Sequence, residues 1–196
     1  MIEFSKTIIC ASKYYNETEI IEISKLGITN FGENRVDQLL SKRSLLEHEN
    51  FTWHFIGHLQ TNKIKEVINE IDYLHSLSSL KQAKLIQKYR NKPLKCLIQL
   101  NISEESTKNG ISLDKVDEFI IELKKYDKIE IVGFMTMGVL NNNNLTNIVF
   151  NKAKQLQQKY NYLELSMGMS DDYLLAIDNG ATMLRIGSYF KSIIGG

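Results

Sequence analysis

Residues 7–12, TIICAS, and residues 17–27, ETEIIEISKLG, decide the fold class. The first segment is short, apolar and rich in β-branched residues, which predicts a buried strand. In the second segment, isoleucines and a leucine recur at helical spacing before Gly27, which predicts an amphipathic helix that ends at a glycine. The first structural unit is therefore a strand followed by a helix.

The same alternation continues along the chain. Seven further strands are predicted at residues 29–33, 51–57, 73–78, 94–102, 130–137, 162–167 and 182–190. Six further helices are predicted between them, at residues 36–48, 61–71, 80–89, 113–126, 145–160 and 170–180. Regular alternation of this kind indicates parallel strands joined by right-handed crossovers. Because no linker interrupts the pattern, we expect residues 1–196 to form a single domain.

Eight strand–helix units close most economically into a (β/α)8 TIM barrel, which is the fold class that we predict. An open doubly wound sheet is the alternative, but residues 13–16, KYYN, lack the glycine-rich phosphate loop of that fold. The chain of 196 residues is short for a barrel. No helix is predicted after the eighth strand, because residues 192–196 are too few to supply one.

Composition and charge exclude several classes of protein. The net charge of +1, from 24 basic and 23 acidic residues, does not favour binding to nucleic acid or to an anionic membrane. We expect no secretory leader, and no apolar run approaches the roughly 18 residues of a membrane span. Cys10 and Cys96 are far apart, which favours a reduced, cytoplasmic protein. His54 and His58 have no acidic partner at ligand spacing, so we interpret them as structural and expect no metal site.

The side chains that end the strands are the candidates for function, since the active site of a βα barrel lies there. Lys13 follows the first strand and shares the parity of Ile9 and Ala11, so all three point into the barrel or none does. A partly desolvated lysine amine can attack a carbonyl and form an imine, although a lysine that extends into solvent is the alternative. Arg185 lies in the apolar eighth strand, where it either faces the same cavity or forms an ion pair with Glu164.

Two glycine- and serine-containing segments follow the last two strands. They are residues 165–170, LSMGMS, and Gly187 with Ser188. The loops after strands seven and eight form the usual phosphate site of this fold, where glycines allow close approach and N–H groups donate. Together with the amine and the arginine, they describe a phosphorylated aldehyde held as an imine. Pyridoxal 5′-phosphate fits, and so does a phosphorylated sugar in a Schiff-base aldolase.

Several segments, taken in order, resemble the pyridoxal phosphate homeostasis proteins, the YggS/PROSC family. They are residues 11–13 (ASK), 31–34 (FGEN), 53–63 (WHFIGHLQTNK), 75–76 (HS), 108–110 (KNG), 133–137 (GFMTM), 165–172 (LSMGMSDD) and 185–187 (RIG). The resemblance covers essentially the whole chain. It implies a single barrel like the N-terminal domain of alanine racemase, here without the helix that usually precedes the first strand.

The resemblance also implies the chemistry of the site. Lys13 would form a Schiff base with pyridoxal 5′-phosphate (PLP), Arg185 would face the pyridine nitrogen, and Asn34 would lie near the ring. The residues expected to hold the phosphate are Ser166, Gly187 and Ser188, and Gly168 is also expected to bind the cofactor. The implied function is that of a non-catalytic monomer that buffers PLP or delivers it to apo-enzymes. A PLP-dependent amino-acid racemase is the alternative, but such racemases take a second base from another domain, for which 196 residues leave no room.

Overall fold

Eight parallel strands close into a barrel in the order in which they occur along the chain, which confirms the predicted fold class. The structure is a computed structural model, and it describes residues 6–103 and 109–194. The strands are β1 Thr7–Ala11, β2 Asn30–Glu33, β3 Thr52–Phe55, β4 Tyr73–Leu77, β5 Leu94–Gln99, β6 Ile129–Met135, β7 Glu164–Ser166 and β8 Met183–Ile186. Pairing of β1 with β8 closes the barrel and sets Ile9 beside Arg185.

Helices cover the outside of the barrel between successive strands. They are α1 Glu17–Ser24, α2 Val36–Leu45, α3 Ile64–Val67, α4 Leu80–Tyr89, α5 Val116–Leu123, α6 Asn143–Tyr160 and α7 Tyr173–Asp178. A capping box starts α1: the Asn16 side chain accepts from the Glu19 backbone, and the Glu19 carboxylate accepts from the Asn16 backbone. Within the described residues, no helix is both long and apolar enough to cross a membrane.

The end of the chain differs from the prediction. The eighth strand ends at Ile186 and does not continue to residue 190, and a 3-10 turn Ser188–Phe190 leads into a short helix, α8 Lys191–Ile194. The backbone leaves the extended conformation at Gly187, whose carbonyl accepts a hydrogen bond of 2.6 Å from the Tyr15 hydroxyl. Phe190 is buried in the outer core. The apolar pattern that predicted a longer strand therefore comes from an aromatic anchor on a turn.

The buried apolar side chains form two separate clusters. The larger lies between the strands and the helices and includes Ile20, Trp53 and Phe150. The smaller lies inside the barrel and consists of Ile9, Leu97, Met135 and Met183. Ile9 belongs to the inner cluster, so this face of β1 points into the barrel.

Candidate functional site

A cavity of about 250 Å³ opens at the carboxyl ends of the strands. Lys13, Asn34 and Arg185 all line it, together with His58 and Gln99. The side chains come from strands or loops that are distant in sequence and become neighbours because the barrel closes. Three of the predicted site residues therefore meet in one place.

Lys13 lies on the 3-10 turn Ser12–Tyr14 that follows β1. Its side chain is exposed at the mouth of the cavity, so the partial desolvation considered for it is not observed. Among the described residues, no carboxylate forms an ion pair with it. An accessible, unpaired amine at this position can react with a carbonyl compound that enters the cavity.

A buried ion pair holds the turn that carries Lys13. Nζ of Lys42, on α2, lies 2.5 Å from Oε1 of Glu33, on β2, and both side chains are buried. Lys42 also donates to the Ser12 carbonyl at 2.6 Å, and the Ser12 hydroxyl donates to Glu33 at 2.8 Å. Removing one member would leave the other charge buried and unpaired. The cluster thus positions Lys13 through the backbone of its neighbour.

Arg185 is buried, and its guanidinium is held by two acceptors. Nη1 donates to the Ser166 hydroxyl at 2.6 Å, and Nη2 donates to the Thr136 carbonyl at 3.1 Å. The ion pair with Glu164 is not formed, because Glu164 begins β7 and accepts instead from Thr182 at 2.6 Å. Burial lowers the pKa of Arg185 to about 10, which leaves the side chain charged at neutral pH.

A chain of hydrogen bonds continues from Arg185 through the barrel interior. The Ser166 hydroxyl lies 2.9 Å from Nδ1 of His75, and Nε2 of His75 lies 2.9 Å from Nδ1 of His54. Nε2 of His54 lies 3.0 Å from Oδ1 of Asn30 at the start of β2. Arginine can only donate and the Asn30 oxygen can only accept, so the bonds run consistently if both histidines accept at Nδ1 and donate at Nε2. We call these five residues the interior polar chain.

The two histidines of the interior polar chain are neutral at physiological pH. Burial lowers the pKa of His54 to about 3. Burial, reinforced by His54 and Arg185, also lowers the pKa of His75 well below its ordinary value. The structural interpretation of His54 is therefore confirmed, whereas His58 is exposed at the cavity and its structural interpretation is wrong.

Acid is expected to destabilise the fold through these two histidines. The unfolded chain binds their protons near the ordinary value of 6.5 and the folded chain only far lower, so stability is full above this pH and falls below it. By about pH 5, where ordinary carboxyl groups are still ionised, each histidine should cost about 2 kcal/mol of unfolding free energy. Urea unfolding at about pH 5 and at a pH above 6.5 measures this loss. His48→Gln, at an exposed site, should leave the loss unchanged, and equal stability at both pH values would contradict the neutral pair.

The loop after β8 meets the loop after β7 beside the cavity. The backbone N–H of Gly187 donates to the Ser170 hydroxyl at 3.4 Å, and Ser188 is exposed next to it. The loop that contains Gly187 and Ser188 therefore contacts the loop after β7 through Ser170. Ser170 joins them, and the sequence reasoning missed it as a site residue although it belongs to the quoted LSMGMS segment.

Ser166 and Gly168 do not face this loop. The Ser166 hydroxyl is buried and bonds with Arg185 and His75. Gly168 is buried with φ of +90°, its carbonyl accepts from the Arg185 backbone, and a methyl group on it would come within 2.6 Å of the Ala176 side chain. Their contacts do not agree with the roles expected for them in binding the cofactor. Ser166 supports Arg185, and Gly168 allows the backbone to turn beneath α7.

The polar loop expected around residues 101–110 is only partly described. Glu104, Glu105 and Lys108 lie outside the described residues. Asn109 is described, and its carbonyl accepts from the Gln99 side chain at 3.0 Å. Within residues 6–103 and 109–194, no three His, Cys, Asp or Glu side chains come together as a metal site would require.

Fold and site together define a class of protein: a single (β/α)8 barrel whose mouth presents a lysine amine, a buried guanidinium and a glycine–serine loop. The family model described as "Alanine racemase, N-terminal domain" matches residues 8–191. A pyridoxal phosphate homeostasis protein of Aquifex aeolicus is 36% identical over 188 residues, covering 91% of this chain and 82% of the relative. Its Escherichia coli counterpart is 33% identical over 196 residues, covering 93% and 83%. The chain belongs to the family of pyridoxal phosphate homeostasis proteins.

Solved structures agree with this assignment. PipY of Synechococcus elongatus without PLP superimposes with a TM-score of 0.88 at 29% identity, covering 95% of this chain and 92% of PipY. The structure of PipY with PLP bound gives a TM-score of 0.84 at 28% identity, with the same coverage. Alanine racemase of Corynebacterium glutamicum, at 16% identity and a TM-score of 0.73, shares the fold over 55% of its own chain. Both the predicted family and the predicted barrel are thus confirmed.

Proposed function

We propose that this chain binds PLP through Lys13 and takes part in PLP homeostasis by buffering or delivering the cofactor. The observation that carries the proposal is the single cavity in which the accessible Lys13 amine, the buried Arg185 guanidinium and Asn34 meet. The PLP bound in the structure of PipY and the names of the relatives support it. We place the chain in the cytoplasm, because the free, buried thiols of Cys10 and Cys96 favour a reducing compartment, and propose that it acts as a monomer.

The residues of the cavity fit the chemistry of PLP. The cofactor supplies an aldehyde and an electron-withdrawing pyridine ring. The Lys13 amine condenses with the aldehyde, so that a C=N bond forms and water leaves. Arg185 would donate a hydrogen bond to the ring nitrogen, for which it has donors to spare, because the guanidinium has five and uses two of them on Ser166 and Thr136. Asn34 contributes a polar side chain to the same cavity.

On the same proposal, the phosphate of PLP binds at the loop after β8. Gly187 and Ser188 present a backbone that no side chain at position 187 covers, and Ser170 adds a hydroxyl. A methyl group on Gly187 would come within 2.8 Å of the Tyr14 ring, so the close packing of this ring against the loop depends on glycine. Ser166 and Gly168 act indirectly, because they hold Arg185 and the β7 loop in place.

A non-catalytic role is favoured over racemisation. A positively charged donor beside the pyridine nitrogen disfavours protonation of that nitrogen, which weakens the ring as an electron sink. Racemisation also needs a second base, and among the described residues that line the cavity the one basic side chain besides Lys13 and Arg185 is His58. Assays with a range of amino acids should therefore detect no turnover in the usual enzyme range of roughly 1–1,000 per second. Turnover in that range, lost in His58→Gln, would establish the racemase instead.

Delivery of the cofactor can be measured with an apo-enzyme that requires PLP. The PLP-loaded chain, freed of unbound cofactor, should restore activity to the apo-enzyme, and the visible absorption of the loaded chain should fall in parallel. Lys13→Ala, carried through the same loading and washing, serves as the control. No recovery of activity while the chain keeps its cofactor would contradict delivery but leave binding intact.

Arg185→Ala is expected to weaken PLP retention and to change the visible spectrum, because the ring nitrogen loses its donor. It should also lower the unfolding free energy of the apo protein by roughly 1–3 kcal/mol, since the Thr136 carbonyl loses its side-chain donor and the Ser166 hydroxyl a partner. Titration, spectra and urea unfolding measure the three effects. Arg43→Ala, at a half-exposed ion pair, is the matched control. Wild-type affinity and spectrum would make Arg185 purely structural.

A further inference from the structure

Two lysine side chains approach the ring of Tyr14 at the mouth of the cavity. Nζ of Lys13 lies 4.7 Å from the ring centroid, and Nζ of Lys191, the first residue of α8, lies 5.4 Å from it. Both distances suit cation–π contact. Neither lysine forms an ion pair with a carboxylate of the described residues. Two ammonium groups thus contact one ring, and neither has a carboxylate counter-ion among the described residues.

The same ring lies against the loop that follows β8. Cε2 of Tyr14 would be 2.8 Å from a methyl group on Gly187. The neighbouring Tyr15 is buried and donates to the Gly187 carbonyl at 2.6 Å, which fixes this segment to the loop. The Tyr14 ring therefore contacts both the Lys191 ammonium group and the backbone at Gly187.

The other groups at this loop do not neutralise a phosphate. A phosphate monoester carries a charge of about −1.5 to −2 at neutral pH. The Gly187 backbone and the Ser170 and Ser188 hydroxyls are neutral donors. Arg185 is buried in the barrel, with bonds to Ser166 and Thr136. Lys13 is engaged by the aldehyde in the proposed complex, which leaves Lys191 as the cation beside the loop.

We propose that Lys191 is a further phosphate-binding residue, held by the Tyr14 ring beside the Gly187–Ser188 loop. The inference rests on the proposed function, because the phosphate is that of PLP. The ammonium group donates a charge-assisted hydrogen bond to a phosphate oxygen. It therefore contributes to the retention of PLP and not to that of pyridoxal, which lacks the phosphate. A lysine that only packs on Tyr14 would affect both ligands equally.

The test compares PLP and pyridoxal as ligands of the full chain. Lys191→Met should raise the Kd of PLP by roughly twofold to fivefold, a range set by exposed charged pairs, and leave the Kd of pyridoxal unchanged. Lys191→Arg keeps the charge and should retain most of the PLP affinity. Lys152→Met, at an exposed position of α6, makes the same change in net charge away from the cavity and should have no effect.

A second measurement uses the apo protein and inorganic phosphate. Phosphate should raise the Tm of the apo chain, and the rise should be smaller in Lys191→Met than in Lys152→Met. An unchanged PLP Kd in Lys191→Met, or an equal change for PLP and pyridoxal, would overturn the role of Lys191 while PLP binding by the unaltered chain still stands. No PLP binding by the unaltered chain would overturn the proposed function and this inference with it.

Discussion

Lys13→Ala is expected to abolish covalent attachment of PLP and to leave the apo fold intact. The visible absorption of the lysine imine should disappear completely, because no other amine lies at the same place in the cavity among its described lining residues. The fold should survive because the Lys13 side chain is exposed and the ion pair of Lys42 and Glu33, which holds the turn, does not involve it. Titration by absorption and apo unfolding measure the two effects.

The control for Lys13→Ala is Lys63→Ala. Lys63 lies in the 3-10 turn after β3 and pairs with Glu66 at 3.0 Å, so it is a lysine near the barrel mouth that is already engaged. Its replacement should leave the visible absorption unchanged. Full absorption in Lys13→Ala, or its loss in Lys63→Ala, would show that a different amine holds the cofactor.

Gly187→Val is expected to release PLP even though Lys13 is intact. The first carbon of the new side chain would already lie 2.8 Å from Cε2 of Tyr14 and 3.5 Å from the Ala11 side chain, so the two methyl groups must occupy the space beside the loop. Hydrogen bonds to a charged group are worth about 1.5–3 kcal/mol each, and the loss of one or two gives an increase in Kd of about a hundredfold. Pyridoxal, which has no phosphate, should bind with nearly unchanged affinity.

The double variant Gly187→Val with Tyr14→Ala separates two explanations of that loss. If valine blocks the phosphate itself, removing the ring does not restore affinity. If valine acts only by displacing Tyr14 and the lysine beside it, the double variant should bind PLP no worse than Tyr14→Ala alone. Such a rescue would contradict the placement of the phosphate beside Gly187.

The barrel could be predicted from the sequence because its signal is local. Each strand–helix unit contains its own β-branched run or its own helical periodicity. The eight units therefore give eight weak local patterns, and all of them indicate the same alternation along the chain. The short helix α8 was missed because the apolar pattern near Phe190 is the same for a strand and for an aromatic anchor on a turn. Tertiary contact at Tyr15, 172 residues away from Gly187 in sequence, decides between them.

The site was predicted only in part, because some of its residues have local sequence patterns and others depend on tertiary contacts. Lys13 and Arg185 could be found because strand ends and an isolated arginine are visible in the sequence. The interior polar chain could not be found, since the bond between His75 and Ser166 joins residues 91 positions apart and depends on the register of strands that are not neighbours. Lys42 gave no signal either, because a lysine on a polar helix normally faces solvent. Ser166 is the last residue of β7 and its side chain points into the barrel, whereas Ser170 lies in the loop after β7.

Borohydride reduction of the PLP-loaded full chain, followed by peptide mapping, tests the central claim most directly. Reduction converts the C=N bond to a stable C–N bond, so the cofactor stays on the amine that held it. We expect one modified peptide, labelled at Lys13, together with loss of the visible absorption. A label on another lysine, or no label on a chain that retains PLP, would contradict the account.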